Sequence, residues 1–118
     1  MSLRKLRIAI PTKGQGGLED GVSDVFGRAN TFTIADVEKG VIENVKVLKN
    51  PAVSYKHGAG PIVVKMLIDA GVNTVLAADL GAGASALLEQ HNITTIAAKP
   101  GTGVENSVRD ALSRIEKW

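Results

Sequence analysis

One short segment places a histidine directly before two glycines and an apolar run. It reads Ser54-Tyr55-Lys56-His57-Gly58-Ala59-Gly60-Pro61, and apolar residues follow as far as Ile68. This pattern predicts entry into a helix, whose N-terminus presents unpaired N–H groups and the positive end of a dipole. His57 would add a metal ligand or a titrating group there. The alternative is a glycine-rich turn whose histidine satisfies only a nearby backbone group.

Basic residues near other predicted turns would favour an anionic ligand. Arg28 follows Gly27 in a compact turn, where its guanidinium would bind an anion or would instead pair with Asp24 and hold the turn. Lys13 and Lys56 add positive charge, although each alone is typical of a solvated surface. These residues indicate an anion-binding surface only if the fold brings them together.

Glycines supply the second feature of the candidate site. Gly58 and Gly60 would let a ligand approach the backbone closely, or would only shape the turn. Glycine-rich segments at 81–83 and 101–103 also precede predicted helices, but they lack the residues of a P-loop or a dinucleotide fingerprint. No Gly-x-Ser-x-Gly elbow and no second histidine at metal-ligand spacing is present. The residues therefore identify no catalytic group and favour binding over catalysis.

The apolar pattern predicts the chain order β-β-β-α-β-α-β-α. Strands are expected at 6–11, 31–37, 41–48, 74–78 and 93–97, and helices at 62–70, 82–91 and 104–115. Glu38-Lys39-Gly40 would turn the second strand into the third, and Thr102 with Glu105 would form a capping box before the last helix. We expect one three-layer α/β domain over residues 1–118, with a five-stranded mixed sheet.

Strand direction should bring the candidate residues to one edge of this sheet. Short connections make the first three strands run up, down and up, and right-handed crossovers return the last two strands upward. The upper edge then collects Lys13, Arg28, Lys56 with His57, the loop at 79–83, and Lys99. Because ligands of open α/β sheets bind at the carboxyl ends of the parallel strands, we expect the site there.

Composition excludes several classes of protein. A net charge of only +2 and four aromatic residues argue against a nucleic-acid surface. The absence of cysteine excludes disulfides, zinc ribbons and clusters held by the chain's own thiolates. No apolar run approaches the ~20 residues of a membrane span, and the residues from Met1 onward lack the apolar segment of a signal peptide. We therefore expect a cytoplasmic protein without a membrane anchor.

Several motifs along the chain occur in a characteristic combination. They are Ser23-Asp24-Val25-Phe26-Gly27-Arg28-Ala29, Phe32, Asp36, Asn50, His57-Gly58-Ala59-Gly60 and Gly71-Val72. Together they resemble the dinitrogenase iron–molybdenum cofactor biosynthesis family, which includes NifX, the C-terminal domain of NifB and NafY-like proteins. The resemblance covers nearly the whole chain and implies one α/β domain with a ribonuclease H-like motif. A two-metal nuclease is excluded, because Asp79 is the only acid at the predicted ligand edge.

The resemblance implies a carrier that binds an iron–molybdenum cofactor or an iron–sulfur precursor transiently and without catalysis. His57 matches the family's proposed cluster ligand, and the other residues assigned to the cofactor are Arg28, Lys56, Gly58, Gly60 and Lys13. Partners would be metallocluster assembly or acceptor proteins, and the isolated protein could be free of cargo. Without cysteine, binding would be exchangeable. Two alternatives stay open: a metal-free module that binds a protein or a small anion, and an enzyme acting on a phosphorylated molecule. The sequence predicts no oligomeric state.

Overall fold

Five strands and three α-helices make up the part of the chain that the computed structural model describes, residues 5–116. In chain order they are β1 (Leu6–Thr12), β2 (Thr31–Glu38), β3 (Val41–Lys49), α1 (Ala59–Asp69), β4 (Thr74–Ala77), α2 (Ala82–Gln90), β5 (Thr94–Ala97) and α3 (Val104–Glu116). A short 3-10 turn at Gly17–Glu19 interrupts the connection between β1 and β2. The start of the chain, where the sequence lacks the apolar segment of a signal peptide, includes residues 1–4, which lie outside the described residues.

The sheet is mixed and has the spatial order β3-β2-β1-β4-β5. β2 is antiparallel to β1 and β3, whereas β1, β4 and β5 are mutually parallel. The β2–β3 hairpin turns at Lys39 and Gly40, with φ values of 54° and 81°, and two positive φ values suit a turn that follows the twist of the strands. β1, β3, β4 and β5 therefore end at one edge of the sheet, which we call the carboxyl edge.

Helices cover both faces of this sheet. On one face α1 and α2 lie over a cluster that includes Val63 of α1 and Phe32 of β2, both 0% exposed. On the other face α3 supplies Val108 to a second cluster that includes Ile8 of β1. The prediction of a single α/β domain with a five-stranded mixed sheet is confirmed, and its layers are helix, sheet and helix.

α1 begins three residues earlier than the apolar pattern predicted. Gly58 precedes it with φ 76° and ψ 12°, a left-handed conformation that turns the chain into the helix. Pro61 lies in the first turn, where its missing N–H would have had no intrahelical partner. Gly60 is consequently a helical residue and does not belong to the preceding loop.

The end of α1 follows the sequence prediction. Gly71 has φ 79°, its N–H donates to the Ile68 carbonyl at 2.9 Å, and the Val72 N–H donates to the Leu67 carbonyl at 3.0 Å. This pair of bonds is a Schellman motif, which satisfies the last carbonyls of the helix. The glycine is required because L side chains rarely adopt this φ.

The predicted capping box of α3 is wrong. The helix begins at Val104, so Glu105 is its second residue and lies too early to bond back to Thr102. Glu105 instead pairs with the Arg109 guanidinium at 2.9 Å. The Val104 N–H donates to the Asp20 carbonyl at 2.9 Å, so a long-range backbone contact satisfies the start of this helix.

Within residues 5–116, none of the helices combines the length and apolar character needed to cross a bilayer.

Candidate functional site

A shallow cavity of about 220 Å³ lies at the carboxyl edge, where three separate segments meet. We call it the rim cavity. It is lined by the turn at 24–28, the first residue of α1, and the loop before α2: Asp24, Val25, Phe26, Gly27, Arg28, Ala59, Asp79, Leu80 and Gly81. Larger cavities lie elsewhere on the surface, but this one combines residues from the two longest motif segments of the resemblance, 23–29 and 57–60.

The two motif segments touch through their glycines. A Cβ atom built on Gly27 would lie 3.2 Å from the Gly60 nitrogen and 3.4 Å from the Ala59 Cβ. The turn therefore packs on the first residues of α1 so closely that a side chain at Gly27 would force one of them to move. Gly60 in turn faces α2, since its own Cβ would lie 3.6 Å from the Ala84 Cβ. In this structure Gly60 serves the packing of the turn and the two helices.

A buried amide fixes the same turn from its other side. Asn50, 4% exposed, donates through Nδ2 to the Gly27 carbonyl at 3.0 Å and to the Ala29 carbonyl at 2.8 Å. Its Oδ1 accepts the Ala52 N–H at 2.8 Å, an Asx turn that opens the loop of residues 50–58. One side chain thus joins the turn that carries Arg28 to the loop that leads to α1.

Two phenylalanines anchor the turn in the core. The rings of Phe26 and Phe32 have centroids 5.3 Å apart and an interplanar angle of 80°, the edge-to-face arrangement that aromatic pairs prefer. The Ala29 N–H donates to the Phe26 carbonyl at 3.2 Å, and Ser23 Oγ accepts the Val25 N–H at 3.2 Å. The backbone that carries Arg28 is therefore held by packing and by hydrogen bonds.

The N-termini of α1 and α2 converge on the rim cavity. Their N-cap residues are Gly58 and Gly81, and neither helix has a side-chain capping bond from the described part of the chain. Asp79 Oδ1 accepts the Gly81 N–H at 3.2 Å, which leaves the N–H groups inside the first turn of α2 without a side-chain partner from residues 5–116. Two positive helix ends beside a guanidinium favour a negatively charged ligand.

The structure distributes the predicted site residues unevenly. Arg28 is exposed and lines the rim cavity. Lys56 and His57 are exposed in the loop directly before α1, but neither lines the cavity. Lys13 is exposed just after β1, also outside the cavity, and its carbonyl accepts the Asn30 Nδ2 at 2.9 Å.

None of the ion pairs among residues 5–116 includes the Arg28 guanidinium. Four pairs lie within 4.0 Å among these residues, and none joins Arg28 to Asp24, the structural alternative that the sequence offered. Within the same range no cluster of three or more histidine or acidic side chains could hold a metal ion. His57 therefore belongs to no such cluster among these residues. Lys99 lines a different cavity, between β5 and α3.

The glycine-rich loop after β1 is tied down by a carboxylate that sequence reasoning missed. Asp20 accepts the N–H groups of Gly14, Gly16 and Gly21 at 2.8, 3.1 and 2.7 Å. Thr31 Oγ1 also donates to the Gly14 carbonyl at 2.5 Å. An aspartate three residues after Gly-Gly is a signal for such a loop, because a carboxylate accepts several N–H bonds at once.

At the opposite edge of the sheet, the motif residue Asp36 has a structural role. Arg7 Nε donates to Asp36 Oδ1 at 2.7 Å, and Arg7 Nη1 donates to the Ala70 carbonyl at 2.8 Å, which ties the sheet to the end of α1. The hydrogen bond from the Arg7 guanidinium holds the pKa of Asp36 below its ordinary value. Gly71 completes the contact, since a Cβ there would lie 3.1 Å from Arg7 Nη1.

Nearby, two carboxylates meet at an irregularity of the β2–β3 hairpin. A hydrogen bond with Glu38, together with its charge, raises the pKa of Glu43 above its ordinary value. The strand register shifts beside these residues, between Asp36 and Val37. This pair lies at the opposite edge from the rim cavity and plays no part in the candidate site.

Comparisons with known proteins agree with the motifs. An uncharacterized protein of Methanocaldococcus jannaschii is 25% identical over 119 residues, which covers 100% of this chain and 96% of that protein. The apo form of the orange protein from Desulfovibrio gigas superposes with a TM-score of 0.76 and 27% identity, over 98% of this chain and 91% of that one. A NifB-like protein from Thermotoga gives a TM-score of 0.74 and 36% identity, over 92% and 88% of the two chains.

The sequence model of one family matches nearly the whole chain. Its description is dinitrogenase iron-molybdenum cofactor, and the match covers residues 4–114. The match includes all three segments that line the rim cavity, together with the residues at the opposite edge that join β1 and β2 to α1. The resemblance seen in the sequence is confirmed: this chain belongs to the dinitrogenase iron–molybdenum cofactor family.

Proposed function

We propose that this protein is a non-catalytic carrier that binds an anionic metal–sulfide cluster at the rim cavity during metallocluster assembly. The cargo would be an iron–molybdenum cofactor or an iron–sulfur precursor, and the partners would be assembly and acceptor proteins in the cytoplasm. Family membership supports the class of cargo. The observation that carries the proposal is the convergence of two helix N-termini with the Arg28 guanidinium on one cavity.

The charges around the cavity nearly balance, so an anion bound there could also leave. Arg28 and the two helix ends attract negative charge, whereas the exposed carboxylates of Asp24 and Asp79 on the same wall oppose it. The Gly81 N–H at 3.2 Å offsets part of the charge of Asp79. Such a balance suits reversible binding, which a carrier needs.

His57 is the proposed metal ligand. It lies two residues before Ala59, which lines the cavity, on an exposed loop whose imidazole is accessible to solvent. A single neutral imidazole binds iron well but cannot by itself enclose a cluster. Lys56, beside it, and Lys13, after β1, would add long-range attraction, and the left-handed Gly58 would leave the backbone open to the ligand.

The test uses two probes under anaerobic conditions: tetrathiomolybdate, a soluble molybdenum–sulfide dianion, and ferrous iron supplied with sulfide. Uptake is followed by visible absorption after gel filtration. We expect His57→Ala to weaken uptake of the iron–sulfide species about tenfold, which corresponds to ~1.4 kcal/mol. Tetrathiomolybdate reports on the charge of the site, because its metal already carries four sulfides and leaves no position for an imidazole. His91→Ala is the matched control, because His91 is also exposed but lies at the end of α2, away from the carboxyl edge. Equal affinities for the two variants would refute the role of His57.

A second function is favoured by apolar side chains on the loops around the cavity. Val25, Val53 and Tyr55 are 43%, 41% and 46% exposed, and they lie on the two segments that Asn50 joins. Exposed apolar groups clustered on neighbouring loops are typical of protein docking surfaces. A protein that takes up neither probe would favour the metal-free interaction module over the carrier.

A further inference from the structure

We propose that Asn50 is a positioning residue that holds the turn carrying Arg28 and the loop carrying His57 in one fixed arrangement. The inference rests on the proposed function, because it concerns the same binding surface. It assigns a role to a buried side chain that touches no cargo.

The hydrogen bonds of the Asn50 amide bracket Arg28. Nδ2 donates to the carbonyls of the residues on either side of it, Gly27 at 3.0 Å and Ala29 at 2.8 Å. The peptide unit before Arg28 and the one that joins Ala29 to Asn30 are therefore both fixed by one amide group. The guanidinium itself stays exposed, so Asn50 determines where the side chain starts without occupying its charged end.

The opposite atom of the same amide orients the His57 loop. Oδ1 accepts the Ala52 N–H at 2.8 Å, and the Asn50 backbone N–H donates to the Asn30 carbonyl at 3.2 Å. These bonds fix the first residues of the loop whose other end is fixed by α1. Since Asn50 is 4% exposed, water cannot replace any of them easily.

Asparagine alone suits this position. The bonds require two donor hydrogens and one acceptor at the end of a short side chain, which is the inventory of a primary amide. Asn50→Asp keeps the shape and the acceptor for the Ala52 N–H. It replaces Nδ2 by a carboxylate oxygen that faces two carbonyl oxygens at 2.8–3.0 Å, so the turn and the loop would separate.

The test is a double-substitution cycle on tetrathiomolybdate affinity, with Arg28→Gln and Asn50→Asp alone and combined. In the parent protein we expect Arg28→Gln to weaken binding about fivefold, as the loss of one guanidinium at a solvated site would. In the Asn50→Asp protein we expect Arg28→Gln to have no further effect, because the guanidinium is already displaced. If Asn50→Asp only lowered the general stability of the fold, binding would weaken, but Arg28→Gln would still reduce it about fivefold in the Asn50→Asp protein.

Asn73→Asp is the matched control. Its amide joins the loop after α1 to residues 5–7, with Oδ1 accepting the Arg7 N–H at 3.0 Å and Nδ2 donating to the Lys5 carbonyl at 3.3 Å, but it lies at the opposite edge of the sheet. This variant should keep the full effect of Arg28→Gln. Circular dichroism verifies folding, and if Asn50→Asp does not fold, Asn50→Ala removes the amide without the repelling charge and takes its place in the cycle.

The outcomes separate the two proposals. An effect of Arg28→Gln that persists in the Asn50 variant overturns the positioning role and leaves the carrier function intact. A parent protein that takes up neither tetrathiomolybdate nor iron with sulfide overturns the carrier function, and with it the inference that rests on that function. If only the iron–sulfide species binds, the same substitution cycle is measured with that species.

Discussion

Gly27→Ala tests the contact that assembles the candidate site. The new methyl group would lie 3.2 Å from the Gly60 nitrogen, 3.4 Å from the Ala59 Cβ and 3.5 Å from the Ala59 carbonyl carbon. Carbon and nitrogen at 3.2 Å are closer than ordinary van der Waals contact, so either the turn or the start of α1 must move by a few tenths of an ångström. Neither can move freely, because Asn50 holds the turn and the buried Val63 holds the helix.

The size of the effect follows from that competition. Overpacking by one methyl group in a well-packed region costs about 1–3 kcal/mol, and the partial exposure of Gly27 favours the lower half of that range. For a domain of this size each 1 kcal/mol lowers the melting temperature by about 4 °C. We therefore expect Gly27→Ala to melt about 4–8 °C below the parent protein.

Gly83→Ala is the matched control, because it adds the same methyl group to a glycine that has room for one. Gly83 lies in α2, its φ is not positive, and a Cβ there meets no atom within 4 Å. Alanine in a helix is favoured over glycine by about 0.5–1 kcal/mol, so this variant should melt at or above the parent temperature. The two variants are compared by thermal unfolding and by urea titration. If Gly27→Ala is as stable as Gly83→Ala, the turn does not dock on α1 as described.

Three further predictions concern the rest of the fold. Asp20→Ala removes the acceptor of three backbone N–H bonds and should lower the free energy of unfolding by about 2 kcal/mol, measured in urea. Because Arg7 lowers the pKa of Asp36 in the folded state, the stabilisation by this pair is complete above pH ~4 and is lost only as the pH falls through the lowered, folded-state pKa. Thermal melts of parent and Asp36→Asn should therefore differ at pH 7, still differ at about pH 4, and converge only at lower pH. Arg114 Nη2 donates to the Ala97 carbonyl of edge strand β5 at 2.8 Å, so Arg114→Met should increase self-association in sedimentation velocity, and an unchanged sedimentation profile would argue against edge protection.

The elements could be predicted from sequence because local patterns determine them. Alternation and short apolar runs mark the five strands, and Lys39-Gly40 marks the hairpin turn that the structure shows. The start of α1 was missed because apolar periodicity begins at Ile62, whereas the helix begins where Gly58 adopts a left-handed conformation. The capping box failed because Val104 is satisfied by Asp20, a residue more than eighty positions away. Local motifs do not encode such a partner.

Part of the candidate site could be predicted as well, from the directions of the strands. Strand direction placed Arg28 and the start of α1 at one edge, and the structure brings both to the rim cavity. The sequence pattern placed Gly60 in a loop, whereas it lies in α1 beside Gly27 and Ala84; its assignment to a ligand stays a prediction. Lys99 was expected beside the same residues and instead lines the cavity next to α3. Both differences depend on which face of a helix meets which loop, and residue types alone do not specify that.

Some motif residues make contacts within the protein that explain their type, and others make no polar contact within residues 5–116. Gly27, Asn50 and Asp36 each have a contact within the protein that explains the residue type. In residues 5–116 no hydrogen bond or ion pair uses the side chain of Arg28 or His57, although both stand on segments fixed by those contacts. Neither side chain therefore contributes a polar contact to the described part of the fold. Substitutions at these two positions should leave stability unchanged and, if the proposed function holds, lower the affinity for an anionic cluster.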